Sequence, residues 1–312
     1  MKHLFALTLG AALVCSPAIA QQAFGPLMTS ADLVAAQSAT DNLLVVDIRA
    51  AEGGYADGHI EGSVNAPYGL FRGPAENPGQ LPTEAILSEI LSTIGATPDR
   101  PTVVVYQGKD ITDFGAAARV YWTLKSSGVS QIAILNGGIN AWSADGRSLS
   151  ADPVTVQPSQ FDVAFSDQWL ATAGDVQAVL DGNDTALLLD ARSESFWAGE
   201  QAHPEAARPG TLPQSQYFEH AGWFSGGPAI IDATAARALA QDQGFTAADQ
   251  LISFCNTGHW AATNWFALSE LAGIDNVKLY PESMVGWSNN GYEMANVPGP
   301  VRNLWNQIKS VF

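Results

Sequence analysis

The stretch LLVVDIR at residues 43–49 decides the fold, because the chain repeats it as ALLLDAR at residues 186–192. Two further pairs of apolar runs lie in the same order in the two halves of the chain. These are residues 102–106 with 250–254, and residues 132–135 with 277–280. Three matches in one order are the pattern that a duplicated domain leaves in a sequence.

Each half alternates short apolar strands with helical segments, which is typical of a parallel sheet covered by helices. Glycines follow the candidate helices, as residues that end helices should. The predicted helices span residues 83–94, 114–126, 171–180, 234–243 and 260–272. We therefore predict an α/β fold with two domains of one kind, each a mainly parallel sheet with helices on both faces. The first domain is expected at residues 21–150 and the second at 166–312, with a linker at 151–165.

The N-terminus has the features of a secretory signal. A basic residue, Lys2, precedes an apolar stretch, and AIA at residues 18–20 has the small-x-small form that signal peptidase cleaves. We predict that residues 1–20 are a signal peptide, which places the mature protein in the periplasm or outside the cell. Cleavage would also remove Cys15 and leave Cys255 as the single thiol. A lipoprotein signal at Cys15 is disfavoured by the bulky residue before it, and a retained membrane anchor is the competing interpretation.

Composition limits the range of partners. Without residues 1–20 the chain has 13 basic and 31 acidic residues, a balance of −18 at neutral pH. Such a surface repels nucleic acid and anionic lipid headgroups, so no nucleic-acid partner is expected. No apolar run after residue 20 is long enough to span a bilayer, so no membrane partner is expected after cleavage. The acidic surface is interpreted as a solubility feature, with steering of a cationic partner as the alternative.

Cys255 is the main candidate for chemistry. It follows the apolar run at residues 251–254 and precedes a loop, NTGHWA at residues 256–261, in which a helix is expected to begin. In parallel α/β sheets, sites form beyond the carboxyl ends of the strands, which is where this thiol falls. An inert buried cysteine is the alternative, and it is disfavoured by this position.

A cysteine nucleophile needs help from its surroundings, because a free thiol with a pKa of about 8.5 is mostly protonated at neutral pH. Lowering such a pKa by about two units takes roughly 2.7 kcal/mol, whereas a helix N-terminus supplies only about 0.3–1 kcal/mol. Backbone amides of residues 256–261, curled around the sulfur, would supply the remainder. Gly258 would allow the turn that this loop needs.

Several segments resemble one protein family. YADGHIEGSVNAP at residues 55–67 is close to that family's first signature, a Gly-His-Ile-x-Gly-Ala turn, and RPGTLP at residues 208–213 is its degraded equivalent in the second half. The Cys255 loop and residues 280–287 resemble the family's active-site and closing motifs. The order and duplication of these motifs resemble the tandem-domain rhodaneses, a family of sulfurtransferases, over nearly the whole mature chain. The resemblance implies that both predicted domains are rhodanese-like.

The resemblance also implies a two-step exchange of sulfur at Cys255. The thiolate takes the outer sulfur of a small donor and becomes a persulfide, and a thiophilic acceptor such as cyanide or a thiol then removes that sulfur. Neither a metal nor an organic cofactor is implied. Thiosulfate is the expected donor, with 3-mercaptopyruvate as the alternative, because the loop matches neither of the family's donor-specific forms. A non-enzymatic persulfide carrier that serves an exported protein acceptor stays open, because it needs the same amide cradle.

The substrate contacts that the resemblance implies lie mostly in the Cys255 loop. These residues are Asn256, Thr257, Gly258, His259, Trp260 and Ala261. His259 is either a cation that stabilises the thiolate or a packed structural ring, and Trp260 is expected to cover the site or pack between domains. An arginine that many thiosulfate rhodaneses carry is replaced here by Phe196, so Arg208 is the candidate to contact an anionic donor in its place.

Other residues are expected to support the site. Asp190 and Arg192 should pair with each other, and Ser283 and Trp287 belong to the closing motif. In the first half, Gln107 stands where Cys255 stands in the second, and an amide cannot supply a sulfur nucleophile. The first domain therefore resembles the inactive half of tandem rhodaneses, which buttresses the active half and closes one wall of the site. Asp110 and Asp113, which follow Gln107, are expected to cap a turn and a helix.

A phosphatase of the related cell-cycle fold is another enzyme class with a cysteine nucleophile in such a loop. Its Cys-x5-Arg motif ends in an arginine that clamps the phosphate. The sixth residue after Cys255 is Ala261, so this class is disfavoured.

Overall fold

The computed structural model describes residues 24–299, so the predicted signal peptide and Cys15 lie outside the described residues. The first domain consists of β1 (Leu27–Met28), α1 (Ser30–Ala39), β2 (Leu44–Asp47), β3 (Val64–Asn65), α2 (Glu84–Thr93), β4 (Thr102–Val105), α3 (Ile111–Ser126), β5 (Ile132–Leu135) and α4 (Gly138–Ala144). The second consists of α5 (Ala173–Leu180), β6 (Leu187–Asp190), α6 (Glu194–Trp197), β7 (Gln216–Tyr217), α7 (Ala233–Asp242), β8 (Leu251–Phe254), α8 (Trp260–Phe266), β9 (Val277–Leu279) and α9 (Ser283–Asn289). None of the helices in this part of the chain is both long and apolar enough to cross a membrane.

Both sheets are parallel and share one strand order. The first sheet has the order β1-β5-β4-β2-β3, and the second has the order β7-β6-β8-β9. A parallel bridge between Leu170 and Leu279 lies beside β9, where β1 lies beside β5 in the first sheet. The predicted duplication of one α/β domain is confirmed. Its consequence for the site is that β8, which leads into Cys255, is a central strand bonded to β6 and β9.

Both faces of each sheet are buried under helices. Alternate residues of a strand face opposite sides of the sheet, so Val103 and Val105 of β4 pack in one apolar cluster with residues of α1 and α4. Val104 belongs to a second cluster with residues of α2 and α3. In the second domain, Ile252 of β8 packs with α5 and α9, and Leu251 packs with α7 and α8. The helices on both faces are therefore confirmed.

Helices α3 and α8 join the two domains. Phe114 and Tyr121 of α3 contact the ring of Phe266 edge to face, at centroid distances of 5.6 and 5.0 Å. Lys125 forms an ion pair of 2.8 Å with Glu270 across the same boundary. One continuous apolar cluster contains residues of both domains. Because α8 begins directly after the Cys255 loop, this interface also positions the loop.

Side-chain caps set where several helices begin. Thr83 and Thr172 accept hydrogen bonds from the first turns of α2 and α5, so these helices start after the caps. Asp110 caps α3 in the same way, and α3 therefore begins at Ile111, one turn before the predicted start. The predicted helix at residues 260–272 divides into α8 and a π-helical turn, Ala267–Leu271.

Residues 151–166 form neither helix nor strand. They run beside α2, where the amides of Ser159 and Phe161 donate to the carbonyl oxygen and the hydroxyl of Ser92. The amide of Val163 donates to the hydroxyl of Ser88. The segment is therefore tied to the first domain from Ser159 to Val163, while the bounds predicted for the two domains and the linker stay predictions.

Candidate active site

Cys255 lies at the carboxyl end of β8, between that strand and α8. Its side chain is buried, with 1% of the residue exposed, and it is the one cysteine among residues 24–299. Because β8 is central, the loop after it is flanked by the ends of β6 and β9. The thiol thus occupies the place where parallel sheets form their sites.

Ser283 holds the Cys255 loop closed. Its hydroxyl accepts hydrogen bonds from the amides of Cys255 (3.0 Å) and Gly258 (3.2 Å) and donates to the carbonyl oxygen of Tyr280 (2.8 Å). Gly258 has φ +68°, and a Cβ atom there would collide with the carbonyl oxygen of Pro281. A side chain at this position is therefore excluded both by the backbone conformation and by the close approach.

The loop presents several amides that no protein group accepts. Within residues 24–299, five backbone N–H groups after the cysteine donate to no acceptor; they belong to Asn256, Thr257, His259, Trp260 and Ala261. Asn256 and Thr257 are buried, and Trp260 and Ala261 lie in the first turn of α8. Amides left free in a turn or at a helix N-terminus form an anion-binding concavity. The loop therefore contains the donors that the predicted thiolate cradle requires.

An ion pair in the second domain reaches this loop. Arg192 pairs with Asp190 at 2.6 Å, and both side chains are buried. Arg192 also donates to the side-chain oxygen of Asn256 (3.2 Å) and to the carbonyl oxygen of Gly210 (2.9 Å). Thr211 donates its hydroxyl to Asp190 (2.7 Å). The pair predicted from the sequence therefore holds the residue after Cys255 in place.

The first domain contains the same arrangement without the thiol. Arg49 pairs with Asp47 at 2.7 Å and donates to the side-chain oxygen of Gln107 at 3.4 Å, as Arg192 donates to Asn256. Asp47 pairs in register with Val105, and Asp190 with Phe254, so the prediction that Gln107 stands in the place of Cys255 was wrong by one residue: Tyr106 stands there, and Gln107 corresponds to Asn256. The Gln107 amide donates to Asn140 (2.7 Å). Gln107, Arg49 and Tyr68 line a cavity of about 300 Å³. Asp113 accepts from the amides of Gly108 and Lys109, which confirms its expected role in the turn.

His259 is a packed ring and not a cation. Its Nε2 lies 2.7 Å from the carbonyl oxygen of Thr112, which can only accept, so Nε2 carries the proton. Its Nδ1 lies 2.9 Å from the hydroxyl of Tyr68 and accepts from it. Burial first, and then the charge of Arg72, lower the pKa of His259 to about 4. The imidazole is neutral at physiological pH and binds the loop to the first domain, which decides between the two roles left open by the sequence.

Trp260 forms part of an aromatic wall. Its ring stacks on that of His220 at a centroid distance of 4.9 Å and meets the ring of Phe196 at 6.2 Å. The Nδ1 of His220 donates to the carbonyl oxygen of Ala191 (3.1 Å), and burial lowers the pKa of this histidine. The covering or packing role expected for Trp260 stays a prediction, and the sequence offered no signal for His220.

Arg208 and Trp287 both engage the segment that follows α9. The exposed guanidinium of Arg208 donates to the carbonyl oxygen of Tyr292 and contacts the sulfur of Met294. No hydrogen bond joins it to the Cys255 loop in the described part of the chain. Trp287 is buried and donates to the carbonyl oxygen of Glu293 (2.7 Å). Both contacts are structural, so the anion contact predicted for Arg208 has no support in this arrangement.

The sequence gave no signal for the residues of the first domain that contact the loop. Arg119 of α3 donates to the carbonyl oxygen of Gly258 (3.2 Å), Arg72 donates to the hydroxyl of Tyr68 (3.0 Å), and Tyr68 donates to His259. The wall that the first domain was expected to close is therefore polar and basic. Within residues 24–299, no three His, Cys, Asp or Glu side chains lie together as metal ligands would.

Comparison with known proteins agrees with this geometry. The family model described as the Rhodanese-like domain matches twice, at residues 30–145 and 172–290. The thiosulfate sulfurtransferase of Pseudomonas aeruginosa is 31% identical over 267 residues, which cover 85% of this chain and 95% of that protein. The sulfur carrier protein TtuD of Thermus thermophilus is 26% identical over 218 residues, which cover 66% of this chain and 74% of that protein.

Solved structures show the same fold. The anaerobic ergothioneine biosynthesis enzyme from Chlorobium limicola, in complex with trimethyl histidine, has a TM-score of 0.76 and 19% sequence identity, over 86% of this chain and 70% of that one. At this identity the likeness concerns the fold alone. The two matched segments of the family model together span most of the chain and include the Cys255 loop. The chain belongs to the rhodanese family and contains two rhodanese-like domains.

Proposed function

We propose that this protein takes the sulfane sulfur of thiosulfate and passes it to a thiophilic acceptor through a persulfide of Cys255. The observation that carries this function is the place of the thiol, at the end of a central strand and within a loop of unpaired amides. Relatives named thiosulfate sulfurtransferase in Pseudomonas aeruginosa and Azotobacter vinelandii match 85% and 83% of the chain. The protein is a sulfurtransferase, and these relatives support thiosulfate as its donor.

Each step exchanges one bond to sulfur for another. In the first, the Cys255 thiolate bonds to the outer sulfur of thiosulfate, and the S–S bond of the donor breaks as sulfite leaves with the electron pair. In the second, a nucleophile such as cyanide bonds to the outer sulfur of the persulfide, thiocyanate leaves, and the thiolate is restored. Every species at the sulfur is an anion, so the unpaired amides of the loop stabilise each of them.

The burial of Cys255 protects the persulfide intermediate. With 1% of the residue exposed, a persulfide is shielded from bulk solvent and from other thiols. Hydrogen bonds to an anion are also stronger where water is excluded. Binding of the donor then requires some of the covering side chains to move.

Intact mass of the purified protein tests the assignment. Treatment with thiosulfate should add the mass of one sulfur atom, and subsequent cyanide should remove it. Cys255→Ser should show neither change while it keeps the wild-type unfolding temperature, since the substitution is nearly isosteric. A sulfur adduct in that variant would contradict the role of Cys255.

A persulfide carrier is the second candidate, and the observation that favours it is the similarity to the sulfur carrier protein TtuD. A carrier needs the same cradle but discharges to one protein partner. Steady-state formation of thiocyanate with many turnovers per Cys255 would support the enzyme, whereas discharge only to a protein would support the carrier. Loading by 3-mercaptopyruvate and not by thiosulfate would reassign the donor.

We further propose that the protein is exported, with residues 1–20 as its signal and an exported protein as a candidate acceptor. The support is the charged, apolar and small-residue pattern of this segment. If the protein is exported, the mature chain should have the intact mass of a protein that begins at Gln21. It should be recovered in the periplasmic or extracellular fraction. A full-length mass in the cytoplasmic fraction would contradict it.

A further inference from the structure

We propose that Arg119, on the first domain, is a positioning residue that places a fixed positive charge against the Cys255 loop and so favours the anionic form of the cysteine. This inference deepens the proposed function and depends on it. According to this proposal, the first domain not only closes one wall of the site but also acts electrostatically on the reacting sulfur.

Arg119 lies at the centre of the domain interface. It belongs to α3 and is fully buried. Its Nη1 donates to the carbonyl oxygen of Gly258 (3.2 Å), and its Nη2 donates to the carbonyl oxygen of Gly79 (3.0 Å). Its guanidinium carbon lies 5.4 Å from the ring centroid of Trp122. Its Nε is buried and has no hydrogen-bond partner among the described residues, so two carbonyl oxygens and one aromatic face are the groups that compensate this charge.

The absence of a carboxylate partner is informative. The chain has 31 acidic and 14 basic residues, and residues 1–23 and 300–312 contain no Asp or Glu. The two other arginines that are similarly enclosed, Arg49 and Arg192, each pair with an aspartate. Arg119 forms no ion pair within residues 24–299. A buried charge is costly unless it is paired, so Arg119 is placed to meet an anion at the active site: the thiolate, the persulfide or the donor.

Among the titratable neighbours of Arg119, Cys255 is the one that can supply a negative charge at neutral pH. Burial, and then the charge of Arg72, lower the pKa of Arg119 to about 9, while Tyr68 and Cys255 act in the opposite direction. Arg119 therefore remains charged at neutral pH. Tyr68 is protonated there, because burial raises its pKa.

Two other groups beside the loop are already accounted for. His259, whose pKa Arg119 helps to lower, is neutral. Glu282, on the segment that adjoins Gly258, accepts a hydrogen bond from Asn77 (2.7 Å). The described residues include no ion pair between Glu282 and Arg119, and Glu282 is not among the charges that act on this guanidinium, so the cysteine and what it binds are the anions left at this point of the interface.

Alkylation of Cys255 by iodoacetamide across a range of pH tests the proposal in the full-length protein, with the adduct followed on the peptide that contains Cys255, because Cys15 is a second thiol. The midpoint of the rate profile reports the anionic fraction and does not depend on how accessible the thiol is. Arg119→Gln should move this midpoint to higher pH and reduce the alkylation rate at neutral pH by about tenfold, which corresponds to a midpoint about one pH unit higher. Arg119→Lys should retain a midpoint near that of the wild type, because it keeps the charge.

Arg237 offers a matched control. It donates to a backbone carbonyl, that of Ala272, in the second domain, so Arg237→Gln changes the net charge equally and should leave the midpoint unchanged. A folded Arg119→Gln variant with the wild-type midpoint would overturn the proposal. If that variant does not fold, Arg119→Met is the neutral variant measured in its place, and a wild-type midpoint in folded Arg119→Met would overturn the proposal. Alkylation needs no sulfur donor, so this result is separate from the sulfur-loading test.

Discussion

The repeated Asp-x-Arg pair provides a comparison within one molecule. Asp190 and Asp47 occupy equivalent positions at the ends of β6 and β2, and each accepts from the arginine two residues later. Only the pair of Asp190 extends to the Cys255 loop, through the hydrogen bond from Arg192 to Asn256. We predict that Asp190→Asn lowers both stability and sulfur transfer, whereas Asp47→Asn lowers stability alone.

The magnitude follows from burial. Asp190 is fully buried and the Arg192 side chain is 2% exposed, so removal of the carboxylate charge leaves a buried, uncompensated guanidinium. Breaking such a pair costs about 3–5 kcal/mol. For a domain of this size, about 1 kcal/mol lowers Tm by roughly 2–4 °C, so the expected loss for Asp190→Asn is on the order of 10 °C. The Arg49 side chain is 8% exposed, so the loss for Asp47→Asn should be somewhat smaller.

Thermal unfolding and thiocyanate formation measure the two effects separately. Turnover should be compared well below both unfolding temperatures, so that each variant is folded during the assay. Wild-type Tm in Asp190→Asn would refute the stability argument. Equal loss of turnover in both variants would show that the pair acts only through general stability and not through Asn256.

Three further predictions concern single residues. Gln107→Ala should leave turnover nearly intact, because its amide bonds to Asn140 in the first domain; a large fall at unchanged Tm would show that the first-domain cavity takes part. Arg208→Ala should leave the KM for thiosulfate unchanged, because the guanidinium is engaged by Tyr292; a raised KM would restore the anion contact predicted from the sequence. The folded-state pKa of His259 lies at about 4, below its ordinary value of 6.5, so its contribution to stability is complete above pH 6.5 and is lost as pH falls toward about 4. Tm should decline over that window and less so in His259→Asn, and parallel declines in both proteins would exclude this histidine as the source.

The local patterns explain why much of the fold could be predicted. Apolar runs that end in Asp-x-Arg repeat in both halves, and a strand that runs directly into a loop and a helix places Cys255 at the sheet edge. The predicted helix ends were less accurate, because a capping residue such as Asp110 lies in the sequence before the apolar pattern begins. The anion contact predicted for Arg208 was inferred from the absence of an arginine at position 196. No local pattern tells whether a surface side chain points toward the thiol or toward Tyr292.

By itself, the sequence determined the duplicated α/β fold, the single candidate nucleophile and the loss of that nucleophile from the first half, because each depends on neighbours in the chain. Only the tertiary structure decided what surrounds the nucleophile. Arg119 and Gly258 are 139 residues apart, and Tyr68 and His259 are 191 residues apart. Their contacts exist because α3 and α8 pack together across the domain interface, and the same packing removes His259 from water and keeps it neutral. Charge at the site is thus set by burial and by long-range contacts, which short-range sequence patterns do not encode.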